Sequence, residues 1–354
     1  MSGRQLVVHA VPVLAAGGVL VMVPFLLGGS PYGLRIASLM LILATYAVAF
    51  NLLFGHTRQL FLCVGALAGL GAYASVILVR DAGFPPLLAA VLATLGAALL
   101  GGFLSYVGVR RGLGVLFVGI ITVAVSLIFH NLLLGLREYT NGETGISTQG
   151  LGFGLGEAPT RAYYVLLGVL VSSLTIYQLL LRSRYGLAFR ALGEDELNAE
   201  LSGIDVTRYK VGTAALASGL IGLVGVLYAD VNGFISPSVF ALGHVDIPVL
   251  LALLLGGIGT TLGPVVGAGL FTLVDELVRP FGQLTVLTYG ILLVVLFLVF
   301  REGVVPFAGR LLLRLGRVLL PGIPREARAG SGRSPQPAGA SEGGVGRSES
   351  AGGG

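Results

Sequence analysis

Between residues 182 and 210 the chain concentrates Glu194, Asp195, Glu196, Glu200 and Asp205 beside Arg190, Arg208 and Lys210. Interleaved charges of both signs on a short segment suit docking into a groove of a partner; the plain alternative is a solvated loop. Leu187 to Ser202 reads as a helix that Gly203 ends. A second polar set, Asn51, His130, Asn131 and Gln178, lies inside apolar runs, where a polar group is costly and marks either a pathway or a hydrogen bond between helices. No carboxylate falls mid-span, which counts against a proton-coupled secondary transporter. Asp230, Asp246, Asp275 and Glu276 fall near span ends and are expected on a solvated outer rim. Enzyme signatures are missing from the sequence: it has no H-E-x-x-H, and its one lysine, Lys210, is followed by Val211, so no phosphate loop ends in Gly-Lys-Ser/Thr. Gly150, Gly152, Gly154 and Gly156 imitate such a loop but belong to a segment expected outside. The single cysteine, Cys63, excludes an internal disulfide and a multi-cysteine metal site. No cofactor is expected on this chain.

Membrane-spanning helices must position these residues. Of 354 residues 55% are hydrophobic and 11% charged, against about 25% charged in soluble domains. The apolar runs do not alternate as β-barrel strands would, so the fold class is an all-α, polytopic transmembrane helix bundle. Spans are expected at Leu6–Leu27, Leu34–Phe54, Leu60–Val79, Leu87–Val109, Leu113–Leu136, Ala162–Leu181, Val211–Val231 and Gln283–Phe300, the first read as a retained anchor. The 56 glycines, scattered through these runs, imply closely approaching helices. The stretch Ile247–Val278 is broken at Gly256–Pro264 and is either one span or a re-entrant hairpin. With a cytoplasmic N-terminus and the hairpin, 17 of the 22 Lys and Arg lie inside and five outside; a single crossing gives 10 against 12. The positive-inside rule therefore favours the hairpin, with eight to ten spans and both termini cytoplasmic. The net charge of +5 reflects this topology rather than nucleic-acid binding. Leu311–Leu320 reads as a short interfacial helix, ending a transmembrane domain at 1–320, and residues 321–354 read as a disordered tail.

Within the charged segment, E-x-x-A-E-x-x-G-I, formed by Glu196, Ala199, Glu200, Gly203 and Ile204 and followed by Thr207–Lys210, resembles the coupling loop of LivM-type branched-chain amino-acid ABC-transporter permeases. FNLLFGHTRQL at Phe50–Leu60 with GLGAYAS at Gly69–Ser75 is similar to that family's second conserved region. LLLGGIGTTLGPVVGA at Leu253–Ala268 is similar to its glycine-rich broken helix. The resemblance implies a permease in a bacterial-type inner membrane, paired with a second homologous permease, two cytoplasmic ATP-binding subunits that use ATP, and a periplasmic solute-binding protein. It also implies that residues 182–210 couple to the ATPases. Intramembrane polar groups and the glycine- and proline-broken backbone make Asn51, Gln59, His130, Asn131, Gly256, Gly257, Gly259 and Pro264 the candidates for the translocation path. The sequence departs from the family at His56, Arg58, Gln59, Phe61, Leu62, Cys63 and Val64, and at Asn141–Thr148. Branched-chain amino acids are thus the first substrate class, with urea, short amides or other small amphiphiles as the alternative. An ion-coupled secondary transporter is the competing class.

Overall fold

A backbone in hydrocarbon must satisfy its polar groups within its own segment, so apolar runs this long fold as helices. The computed structural model describes residues 17–26, 28–148, 152–278, 290–291 and 303–306. The chain divides into units Met1–Arg310 and Leu311–Gly354; the second, with the expected helix at Leu311–Leu320 and the tail, lies outside the described residues, as does nearly all of the expected span Gln283–Phe300.

In the first unit, α1 (Gly17–Leu26) is the described part of the first expected span. Next come α2 (Pro31–Phe50), which continues as a wider π turn over Asn51–His56, then α3 (Val64–Arg80), α4 (Pro86–Arg110), α5 (Val115–Gly135) and the single-turn α6 (Arg137–Thr140). They are followed by α7 (Pro159–Arg182), α8 (Arg184–Glu194), α9 (Glu196–Leu201), α10 (Val206–Asn232), α11 (Asp246–Gly256) and α12 (Gly263–Val278). Helices α2, α4 and α7 each begin on a proline, whose fixed φ and missing N–H cost nothing at a first helical position. Five helices among the described residues are long and apolar enough to cross a membrane: Pro31–His56, Pro86–Arg110, Val115–Gly135, Pro159–Arg182 and Val206–Asn232. Two residues on each of β1 (Ile146–Ser147) and β2 (Phe234–Ile235) pair antiparallel, Ile146 opposite Ile235, a small addition to the expected all-helical fold.

The core forms where α10 packs against α3 and α4, and where α2 packs against α7, α11 and α12. At the first of these places the helices touch through backbone. A β-carbon on Gly225 would overlap the Ala68 carbonyl, one on Gly71 the Gly222 carbonyl, and one on Gly101 the Ser218 side chain. Helix α5 lies at the edge, with Leu116, Phe117, Ile120 and Ile128 exposed.

Three expectations need correction. The span Leu60–Val79 becomes a helix only at Val64: Arg58 adopts φ 51°, and the Gln59 N–H bonds back to the Leu53 carbonyl at 3.0 Å, so the chain turns before α3 starts. The helix Leu187–Ser202 is two helices, because Asp195 is extended and its carboxylate accepts the Leu197 N–H at 2.9 Å, starting α9 anew. The rim reading fails for Asp230 and Asp246, both buried. Asp230 accepts the Leu155 N–H at 2.9 Å, and Asp246 accepts the Gly65 N–H at 3.3 Å, at the start of α3. A carboxylate therefore does enter the packed bundle. Over Ile247–Val278 the chain doubles back: α11 and α12 pack on each other, with Gly256 against Gly263 and Gly267 against Ala252.

Candidate functional site

The sequence-predicted residues gather in two neighbourhoods, with one pair left apart. The first lies under α8 and α9. Asp195 caps α9, and Gly203, at φ +83°, ends it; the Gly203 N–H returns to the Glu200 carbonyl at 2.9 Å and the Ile204 N–H to the Ala199 carbonyl at 3.1 Å. A left-handed residue is needed there, which glycine supplies without a β-carbon clash. Asp205 then caps α10 by accepting the Arg208 N–H at 2.9 Å. The chain thus folds into a compact knuckle whose small core is Leu192, Ala199 and Val206, with Ile204 and Tyr209 packed against it. Ala199 is buried and Ile204 partly so, so these two build the knuckle, while Glu200 is exposed on it.

Glu196 faces the bundle: its Oε1 lies 2.6 Å from Lys210 Nζ, with the Lys210 side chain 9% exposed and that of Glu196 45%. A cation this shielded needs its partner, since an unpaired buried charge is expensive. The Gln59 amide donates to the Lys210 carbonyl at 3.3 Å and to Thr57 Oγ1 at 2.9 Å, and its oxygen accepts from Ser105 Oγ at 2.6 Å. Arg58 donates to the Gly193 carbonyl at the end of α8. Arg58, Gln59, Glu196 and Lys210 line one side of a cavity of about 270 Å³ whose other side is the turn between α4 and α5.

The second neighbourhood is the break after α11. Gly257 and Gly259 have φ of 109° and 74°, which releases backbone groups from helical pairing. Asn51 takes them up: its Oδ1 accepts the Gly259 N–H at 2.8 Å, and its Nδ2 donates to the Thr260 carbonyl at 2.9 Å and to the Tyr177 hydroxyl at 3.0 Å. The Tyr177 hydroxyl lies 2.6 Å from His56 Nε2. Gly55 is forced by the same arrangement, because a β-carbon there would overlap Asn51 Oδ1. Gly256 and Pro264 flank the break, at the end of α11 and in the first turn of α12.

His130 and Asn131 join neither neighbourhood. Asn131 is exposed on α5 and donates to Leu127 of its own helix at 2.8 Å; His130 Nδ1 is buried without a hydrogen-bond partner. Sequence reasoning placed Lys210 in the charged segment but missed its pairing with Glu196, and it missed Arg58, His56 and Tyr177 as members of these clusters. It also missed Leu187, Leu197 and Leu201, which are exposed on the knuckle, Leu197 at 64% and Leu201 at 77%. The signals were present: Lys210 is the only lysine in the chain, and leucines at 197 and 201 are one helical turn apart.

The profile of the family described as branched-chain amino acid transport system / permease component matches residues 32–300. The high-affinity branched-chain amino acid permease LivM of Escherichia coli (strain K12) is 29% identical over 298 residues, covering 77% of this chain and 69% of the relative. LivM of Salmonella typhimurium is 28% identical with the same coverage. The autoinducer 2 import permease LsrC of Salmonella typhimurium is 27% identical over 230 residues, 62% of this chain and 63% of the relative. No solved structure matches the chain.

Proposed function

Because the chain belongs to the family of permease components of branched-chain amino acid transport systems, we propose that it is a membrane-spanning subunit of an ABC importer that passes branched-chain amino acids delivered by a solute-binding protein. The observation that carries the reading is the family match over residues 32–300, a range that takes in α2 to α12, the knuckle and the break. In this reading the partners are a second permease of the same kind, two ATP-hydrolysing subunits and the binding protein. The membrane is a bacterial-type inner membrane crossed eight to ten times, with both termini and the knuckle on the cytoplasmic side.

The chemistry of the two neighbourhoods supports the division of labour. Exposed Leu187, Leu197 and Leu201 give the knuckle an apolar docking surface, the helix-in-groove mode of recognition, while Glu196 and Arg58 hold it to the bundle. A zwitterion with an aliphatic side chain needs apolar walls and a few amide or backbone groups along its path. The Asn51 cluster and the break supply such groups. Hydrolysis of ATP falls to the partner subunits.

A second substrate class is favoured by one observation, the likeness to permeases named for other solutes, LsrC for autoinducer 2 import and FrcC of Rhizobium meliloti for fructose import: the same scaffold then serves a sugar-type solute. The buried Asp246 removes one objection to ion coupling, but it does not outweigh the family match. The test is to purify the tagged permease from its native membrane, identify the chains recovered with it, and screen the recovered binding protein with leucine, isoleucine, valine and sugars. Two ATPases with a leucine-binding protein are expected. The same ATPases with a sugar-binding protein would change the substrate, and recovery of no ATPase while other complexes survive would overturn the importer reading.

A further inference from the structure

The two neighbourhoods are joined, and the join is aromatic. His56, the last residue of the π turn, stacks on Phe189 of α8, with ring centroids 5.5 Å apart and planes 16° apart. Phe189 is buried and also meets Tyr185 edge-on, so it is fixed within the knuckle while Leu187, two residues earlier, faces outward. On its other side His56 meets Tyr177, Tyr177 meets Asn51, and Asn51 holds Gly259 and Thr260. The outward face of α8 is thus four side chains from the break: Phe189, His56, Tyr177 and Asn51.

The hydrogen bonding is directional. Asn51 spends two donor bonds and one acceptor bond on α7 and the break, three of the four an amide offers. The Tyr177 hydroxyl accepts from Asn51 and lies 2.6 Å from His56 Nε2; with Nε2 unprotonated it donates there, and with Nε2 protonated it accepts from His56 and donates to the Gly259 carbonyl at 3.4 Å. Asn51 and His56 are the first and last residues of the π turn, and single π turns within α-helices recur at functional sites.

We propose that His56 and Tyr177 are positioning residues that transmit movement of the knuckle to the break at 257–260, through Phe189 on one side and Asn51 on the other. The inference rests on the importer reading and adds the route by which the ATPases act on the path. A shift of an element by 1 to 2 Å is the usual scale of such transitions. Displacing α8 by that much moves the ring stacked on it, and the hydrogen bonds from Tyr177 and Asn51 carry the change to Gly257 and Gly259, whose positive φ angles mark a backbone able to turn.

The experiment uses the whole complex, permeases, ATPases and binding protein, in proteoliposomes, with leucine uptake and ATP hydrolysis measured together. Tyr177→Phe keeps the ring and removes the hydroxyl; His56→Phe keeps the stack on Phe189 and removes Nε2. Each is expected to lower leucine taken up per ATP by about tenfold, the size of coupling such networks carry, with the complex recovered in normal yield. The double variant is expected to match either single, because both remove the same hydrogen bond. An unchanged ratio in Tyr177→Phe overturns the proposal, as does a fall in yield with uptake and hydrolysis reduced in proportion, or additive effects in the double variant. A wild-type complex without ATP-driven leucine uptake overturns the reading beneath it and this inference with it.

Discussion

Where α10 crosses α3, a β-carbon on Gly225 would overlap the Ala68 carbonyl; where α9 meets the start of α10, the polar link is one ion pair, Lys210 to Glu196. In the first region backbone rests on backbone along Gly71, Gly222, Gly225 and Ala68, and dispersion contacts leave no space for a shifted arrangement. In the second, an ion pair, an aspartate cap, a glycine turn and a three-residue core hold two short helices. The difference teaches where movement is permitted. A seam of touching backbones is a fixed axis, whereas a knuckle held by a few separable contacts can be displaced as a unit and returned.

The largest effect is expected where that comparison is sharpest. Gly225→Leu forces a whole side chain into the Ala68 backbone, and overpacking of this kind costs about 3 kcal/mol. The variant should fail to accumulate as a monodisperse protein in detergent. Normal yield and thermal stability would mean that the seam yields, and the contrast with the knuckle would collapse.

Next in size is an asymmetry across the ion pair. Glu196→Gln leaves the Lys210 ammonium, 9% exposed, without a counter-charge, at a cost of about 2 kcal/mol. Lys210→Met leaves Glu196 at 45% exposure, open enough to water to lose under about 1 kcal/mol. Thermal unfolding should rank Glu196→Gln below Lys210→Met, and the double variant close to Lys210→Met. Equal losses would show the pair to be a surface contact.

Asp195→Ala tests the cap that splits the knuckle. Loss of a side-chain cap is worth about 1 kcal/mol, and here it falls on α9, a helix of six residues. Amide exchange should rise across residues 196–201 and stay unchanged across α10. Unaltered exchange in α9 would mean that Leu192, Ala199 and Val206 hold it without the cap.

The long helices were legible because apolar runs of span length have few other ways to satisfy their backbone, and the prolines at 31, 86 and 159 mark where three of them begin. The knuckle was legible as a cluster of charges and a glycine turn, but its split at Asp195 was not, since acidic residues suit a first helical turn as well as a solvated helix face. Asn51 and the glycines of the break were legible as candidates, but the hydrogen-bonded cluster that joins them to His56 and Tyr177 was not. It joins positions 51, 56, 177 and 259, and no local pattern records contacts across so much sequence. Asp246 was misread for a related reason: sequence places it at a span end, while the chain after β2 folds inward and sets Phe240 and Asp246 against Gly65.

The smallest effect on stability is expected on the outward face of the knuckle, and there the contrast with the seam becomes functional. Leu197 and Leu201 are largely exposed, so Leu197→Gln with Leu201→Gln should change stability by no more than about 0.5 kcal/mol. A docking surface nevertheless depends on such anchors, since a few apolar side chains carry most of the energy of an interface. The double variant should fold and insert like the parent yet recover at least tenfold less ATPase on affinity purification, a ratio that corresponds to about 1.4 kcal/mol of binding. Substitution at Gly225 should lose the permease itself, while substitution at Leu197 and Leu201 should lose only its partner. Undiminished ATPase recovery with both leucines replaced would remove the apolar face from the docking surface and leave Glu200 and the neighbouring charges to carry it.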